Sequence, residues 1–313
     1  MLALPIALQC VGAMIAAASG GHARPSRYLL SLAVAVGLAL VSALAIAHQQ
    51  HAQKKVESWF ALGISPWIAT ALVAATLLTA GRDGVHRWLS LGPISLHVSS
   101  ALAPFVIASV FDRSRPSWRW STTALCLPLQ CVHFAQPDLA QSVAFALAVT
   151  ALSVRAAGPR IARGSTALSV MALAAATALR RDPLGAVPEV EQIVRLAWRA
   201  GPWWWIAAVS LLVAWASTVA LGPRGASSLS MAFAVYAAAL PVIGAGTERF
   251  PVAWLGAGAG PVIGAFVMIR ALWNRRSQEP LTRGGHREHD EPGRGSNALE
   301  QDEREDRRGD VAR

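Results

Sequence analysis

Eight carboxylates stand among the first 276 residues: Glu57, Asp83, Asp112, Asp138, Asp182, Glu189, Glu191 and Glu248. They are the groups of this stretch best suited to moving a proton, and the surrounding sequence is mostly apolar. In HFAQPDLAQSVAF, residues 133 to 145, Asp138 follows Pro137 and precedes an apolar run. That pattern marks a helix start, where a carboxylate accepts from orphan N–H groups at the positive end of the helix dipole. In VPEVEQIVRLAW, residues 187 to 198, two readings stand side by side. Glu189 or Glu191, partly desolvated beside an acceptor hydroxyl, has the chemistry of a general base. Alternatively the segment is an interfacial amphipathic helix, with Val187, Val190, Val194 and Ala197 on one face and Glu191 paired to Arg195 on another. The eight histidines form no HxxxH or HExxH pattern, so no metal site is expected. No GxxxxGK[ST] loop or GxSxG elbow is present, and no cofactor is expected.

The elements that must hold these residues are set by composition. A chain of 313 residues with mean hydropathy +0.40 and 15% charged residues does not have the make-up of a soluble domain. Apolar runs long enough for about 30 Å of hydrocarbon fall at roughly 2–19, 28–47, 60–80, 203–221, 227–246 and 252–273. Shorter or interrupted runs lie at about 94–111, 121–135, 139–154 and 164–179, and neighbours in a bundle can cover their ends. The expectation is an all-α polytopic membrane protein of about ten transmembrane helices, nine being the nearest alternative. The first run ends in small residues but has no Lys or Arg before it, so it reads as a retained helix rather than a signal peptide.

Charge divides the chain in two: residues 1–276 form the helical bundle, and residues 277–313, rich in charge and poor in large apolar residues, read as a disordered tail. The tail holds ten of the 18 acidic residues and seven of the 28 basic ones, leaving the bundle strongly basic. Its basic residues sit in short loops, where they set topology and meet anionic headgroups, so the high pI does not imply nucleic acid. With both termini cytoplasmic the inside loops carry twelve Lys and Arg and the outside loops nine, a bias of the right sign. Cys10, Cys126 and Cys131 have no CxxC spacing and read as small apolar filler.

Three segments resemble elements of the SEDS family, the RodA- and FtsW-like membrane proteins of shape, elongation and division. LQCVHFAQPDLAQSVAFAL, residues 129 to 147, resembles the family's QPDLGTA element between the fifth and sixth helices. GRDGVHRWLSLGPISLHVSSALAP, residues 81 to 104, resembles G-x-x-RW-x-x-LG followed by QPSE-x-x-K, between the third and fourth. ALPVIGAGTERFPVAWLGAGAGPVIG, residues 239 to 264, is similar to the stretch joining the ninth and tenth. The resemblance implies a ten-helix SEDS-like bundle in the bacterial cytoplasmic (inner) membrane and a peptidoglycan glycosyltransferase that polymerises lipid II with a class B penicillin-binding protein. It also implies an outer groove containing Arg87, Trp88, His97, Gln136 and Asp138 as substrate-binding residues. A guanidinium such as Arg87 can take a lipid pyrophosphate bidentately while the Trp88 indole packs on lipid or sugar; the pair serves equally as an interfacial anchor.

The departures from the pattern matter as much. Against QPSE-x-x-K the chain reads His97, Val98, Ser99, Ser100 and then Ala103, so the Glu and the Lys are replaced. Ala140 and Gln141 replace the Gly and Thr of QPDLGTA. The long family loop ending near LPE-x-HTDF shrinks to RRDPLGAVPEVEQIVRLAWRAGP, residues 180 to 202. Val187-Pro188-Glu189 resembles the LPE, and a two-residue deletion places Glu191 at the family's catalytic Asp. Two functions of different classes follow: a divergent SEDS-type enzyme or lipid II handler with Glu191 and Glu189 as catalytic candidates, and a non-catalytic scaffold on the same bundle that binds lipid or a single-pass partner. A small-solute transporter is a third, weaker reading, because no matched pair of broken helices marks two inverted halves.

Overall fold

The structure, a computed structural model, describes residues 1–52, 65–81, 83–91, 94–114, 117–222, 227–248 and 250–276. Glu57, Lys54, Lys55, Arg82, Arg115, Arg224, Arg249 and the charged segment 277–313 fall outside the described residues. Ten helices of ten or more residues follow one another: α1 (Ala3–Ala18), α2 (Tyr28–Ala52), α3 (Pro66–Ala75), α4 (Val98–Arg113), α5 (Trp120–Ala135), α6 (Leu139–Arg155), α7 (Arg160–Ala178), α10 (Pro202–Ala220), α11 (Ser227–Thr247) and α12 (Ala259–Arg276). Two short helices, α8 (Pro188–Glu191) and α9 (Ile193–Ala200), interrupt the connection between α7 and α10. By length and composition, Pro25–Ala45, Arg160–Ala178, Pro202–Ala220 and Ser227–Thr247 can each cross a membrane, and five further apolar helices are shorter.

Among the described residues each of the ten expected spans corresponds to one helix of ten or more residues; two of these helices start later than expected, and one connecting segment differs. The run expected at 94–111 is not helical from its start: Trp88–Leu91 (β1) and Ile94–His97 (β2) pair antiparallel, Trp88 opposite His97, and α4 begins only at Val98. Here Leu, Ser and Ile alternate with period two around Gly92-Pro93, which suits a hairpin better than a helix. The run expected at 252–273 also starts late. Residues 250–258 form a buried loop in which Trp254 adopts φ 78°, a conformation a bulky residue takes only when its surroundings fix it. Three contacts do so: Trp254 Nε1 donates to Ala237 O at 3.0 Å, its carbonyl accepts from Gln9 Nε2 at 2.8 Å, and its ring packs on Trp215 at 5.6 Å. Finally, VPEVEQIVRLAW is not one helix but two, parted at Gln192, whose φ of −108° departs from the helical value.

Inside the bundle, short polar side chains link helices where no water can serve them. Thr123 on α5 meets Thr166 on α7 at 2.6 Å, Gln130 on α5 donates to Ser142 Oγ on α6 at 2.8 Å, and Ser142 meets Thr177 on α7 at 3.1 Å. Two glycines set the approach of α12 to α4 and the hairpin. A Cβ at Gly264 would stand 2.1 Å from Ser100 O, and one at Gly260 would stand 2.4 Å from His97 O. Both obstacles are backbone, so the helices must separate to accept a methyl group. By contrast a Cβ at Gly37 on α2 meets nothing within 4 Å. Gly264→Ala is therefore expected to destabilise the bundle by about 1–3 kcal/mol. Gly37→Ala is expected to leave stability unchanged or raise it by up to about 1 kcal/mol; thermal unfolding of the detergent-purified variants measures both.

Candidate functional site

Four connecting segments meet at one end of the bundle: the stretch around the hairpin, the α5–α6 turn, the α7–α8 connection with α8, and the loop before α12. Arg87, immediately before β1, is fully buried and joins three of them. Its Nε donates to Gln136 O at 3.1 Å, and one Nη donates both to Pro137 O and to Asp182 Oδ2 at 2.7 Å. The guanidinium also lies over the Phe250 ring, 4.9 Å from its centroid. Asp182 spends its other oxygen on the Leu184 N–H at 3.2 Å. Gln136 is held in turn: its side-chain amide donates to Thr76 Oγ1 at 2.5 Å and Val73 O at 3.3 Å.

Beside this cluster Asp138 caps α6, accepting from the Gln141 N–H at 3.2 Å, as its Pro-Asp context led one to expect. Its other oxygen stands 3.1 Å from His97 Nε2, close enough for attraction but off the axis of a straight hydrogen bond. Burial would raise the Asp138 carboxyl, but the His97 Nε2–H that faces it and the nearby Arg87 charge hold it well below the usual carboxylate range. His97 caps α4, its Nδ1 facing the Ser100 N–H at 3.2 Å and the Ser100 hydroxyl at 2.8 Å. Trp88 stands edge-on to the His97 ring, centroids 5.7 Å apart, an orientation that follows from their pairing across the hairpin.

The two glutamates come to the same place on α8. The backbone of α8 is pinned to the loop before α12: Val252 N–H donates to Val190 O and Ala257 N–H to Glu189 O, each at 3.0 Å. Gly256 is required there, because a Cβ would meet Val190 O at 2.4 Å. Tyr28, opening α2, donates its hydroxyl to Glu189 O at 2.9 Å, and Arg27 Nε meets the Glu189 carboxylate at 2.6 Å. Glu191 turns back on its own helix, Oε2 accepting from the Val187 N–H at 2.8 Å. The expected Glu191–Arg195 pair is not made: Glu191 faces inwards and is 3% exposed, while Arg195 pairs with Glu248 on the surface. Burial pushes the Glu191 carboxyl up to about 7, opposed by the Val187 N–H and the Arg87 charge and assisted by the Asp182 charge.

A cavity of 620 Å3 opens among these elements, and Arg27, Trp88, His97, Asp83, Val190 and Glu191 are among the residues on its walls. Of the residues singled out from the sequence, Trp88, His97 and Glu191 line this space. Arg87, Gln136 and Asp138 form the layer behind it, and Glu189 closes one side through Arg27. The expectation that Arg87 offers its guanidinium directly to a ligand meets a different geometry, since Nε and one Nη are already committed to protein oxygens. Arg27, in Pro-Ser-Arg-Tyr ahead of α2, is half-exposed on the cavity wall and was not signalled by any motif. Asp182 was visible only as one of eight acids; its pairing depends on a fold contact 95 residues away in the chain.

Neither a known protein-family profile nor a curated protein matches the sequence. The fold does have solved counterparts. Crystal structures of the rod shape determining protein RodA of Thermus thermophilus, and of an Asp-to-Ala variant of it, superpose on this chain with a TM-score of 0.58 at 19% identity. The match covers 88% of this chain and 95–96% of the RodA chains. The chain therefore has the RodA fold, an all-α bundle of the SEDS type.

Two measurements check this geometry. Asp182→Ala strands a buried guanidinium and is expected to cost about 3–5 kcal/mol, most of it regained in the double variant Arg87→Met/Asp182→Leu; thermal unfolding of the three proteins decides. For Glu191 the folded chain binds the proton more tightly than the unfolded chain, whose carboxyl titrates near 4.5, so its contribution to stability falls as pH rises from about 4.5 to about 7. Glu191→Gln keeps an acceptor for the Val187 N–H without the charge, so its Tm relative to wild type is expected to be higher at pH 8 than at pH 4.5.

Proposed function

We propose that the chain is a divergent SEDS-type protein of the bacterial cytoplasmic membrane, acting in cell-wall synthesis and cell shape. In this reading it handles lipid II or a related polyprenyl-linked substrate at the outer face, beside a class B penicillin-binding protein. What carries the reading is the cavity itself: the Arg-Trp and QPDL segments and Glu191, recognised separately in the sequence, converge around one space in a fold shared with RodA. The chemistry asked of the site is attack of a sugar hydroxyl on an anomeric carbon. The new C–O bond forms as the bond to the polyprenyl diphosphate breaks, and the hydroxyl proton must go to a base. Glu191 suits that task because it lines the cavity and its carboxyl is poised near neutral pH. Arg27 is the wall cation placed to meet the departing diphosphate, with Trp88 as the surface for lipid or sugar. Arg87, Gln136 and Asp138 then shape the wall from behind.

A second reading, a non-catalytic lipid-binding scaffold, is favoured by one specific observation. The positions of the family's Glu and Lys carry Ser100 and Ala103, and Arg87 has its Nε and one Nη bonded to protein oxygens. Purified protein given lipid II, alone and with a class B penicillin-binding protein, separates the two. The enzymatic reading expects glycan strands, a rate that climbs as pH rises through about 7, and a loss of about 10²–10⁴-fold in Glu191→Gln. Absence of product under every condition would overturn that reading, and retained lipid II binding would then leave the scaffold.

A further inference from the structure

A chain of hydrogen bonds runs from the bundle interior to the cavity wall, and each of its donors is fixed by the next acceptor. Tyr236, buried midway along α11, donates its hydroxyl to Gln141 Oε1 at 2.7 Å. Gln141 Nε2 donates to Ser100 Oγ at 2.7 Å. With its oxygen taken as an acceptor there, the Ser100 hydroxyl turns its proton to His97 Nδ1, 2.8 Å away, where the Ser100 backbone N–H also points. Every member is at least nine-tenths buried. A nitrogen facing two donors cannot itself carry hydrogen, so the remaining imidazole proton sits on Nε2. That Nε2–H is itself buried and faces Asp138 Oδ2, 3.1 Å away, while His97 as a residue lines the cavity. Because the chain passes through the Gln141 amide, which does not pass protons on as a hydroxyl or imidazole does, it orients and does not conduct.

We propose that Ser100, Gln141 and Tyr236 are positioning residues that lock His97 as the Nε2–H tautomer, turning its one N–H towards the Asp138 carboxylate behind the cavity wall. The tautomer stands on the geometry alone and does not depend on the function proposed above. Ser100, Gln141 and His97 are all positions where the sequence departs from the SEDS pattern, and the three departures form one connected group. Here a neutral polar chain occupies ground where the family pattern places charge.

The full-length protein labelled with 15N-histidine gives the test, with the His97 signals assigned by their loss in His97→Asn. Wild type is expected to show a protonated Nε2 and a bare, hydrogen-bonded Nδ1. Gln141→Glu keeps the acceptor for Tyr236 but removes the donor to Ser100, so the hydroxyl swings to the new carboxylate and a population with Nδ1–H appears. Ser100→Ala, a smaller change that guards against misfolding of the first variant, is expected to shift the population the same way. A protonated Nδ1 in wild type, or identical His97 signals in wild type and both folded variants, would overturn the proposal.

Discussion

The Arg87 guanidinium is buried completely, and much of the site follows from what that requires. A cation removed from water at the end of an apolar bundle must be met by carboxylate and carbonyl oxygens or it destabilises the fold. Asp182, Gln136 O and Pro137 O meet it, so the α7–α8 connection and the α5–α6 turn are drawn onto the strand of the hairpin. Once the turn is fixed, Asp138 is fixed with it, and so is the carboxylate that faces His97 across the end of α4. The cavity wall is thus the outer surface of a charge-compensated layer. The layer sets Arg87 against Asp182 and Asp138, and Arg27, Asp83, His97 and Glu191 are the titratable groups on the cavity wall.

Close packing of backbones completes the arrangement. Gly260 and Gly264 let α12 lie against His97 O and Ser100 O, and Gly256 lets the loop before α12 lie against Val190 O. The consequence is that Glu191, on a helix of four residues with little stability of its own, is held by backbone bonds from Val252 and Ala257 to its neighbours. A short helix supported this way can present a carboxylate in a partly dry place, which is the physical source of its raised pKa.

Much of this was legible in the sequence, and the limits have physical reasons. Hydropathy found the ten long helices because length and apolarity are local properties. The Pro-Asp pair announced the cap at Asp138 because capping is local too. The hairpin at 88–97 was missed because an apolar run of that length fits either period, and its second strand was read as the start of a span beginning near residue 94. The Glu191–Arg195 pair failed because spacing alone cannot tell that a helix breaks at Gln192, or that Glu248 lies within reach of Arg195. Partnerships such as Arg87 with Asp182, Arg27 with Glu189 and Tyr236 with Gln141 join residues 95 to 162 positions apart, and no periodicity carries such information. The family resemblance did group the Arg-Trp, QPDL and VPE segments as one set, and Trp88, His97 and Glu191 line one cavity.

The central claim is that this cavity is a lipid-diphosphate site whose wall is set by the Arg87 layer. An experimental structure of the full chain in a lipid nanodisc with bound lipid II tests it most directly. The account predicts the diphosphate and first sugar between Arg27, Trp88, His97 and Glu191, with Arg87 still on Asp182 and the α5–α6 turn. Lipid II bound elsewhere on the bundle, or Arg87 released from Asp182 to grip the phosphates, would contradict it.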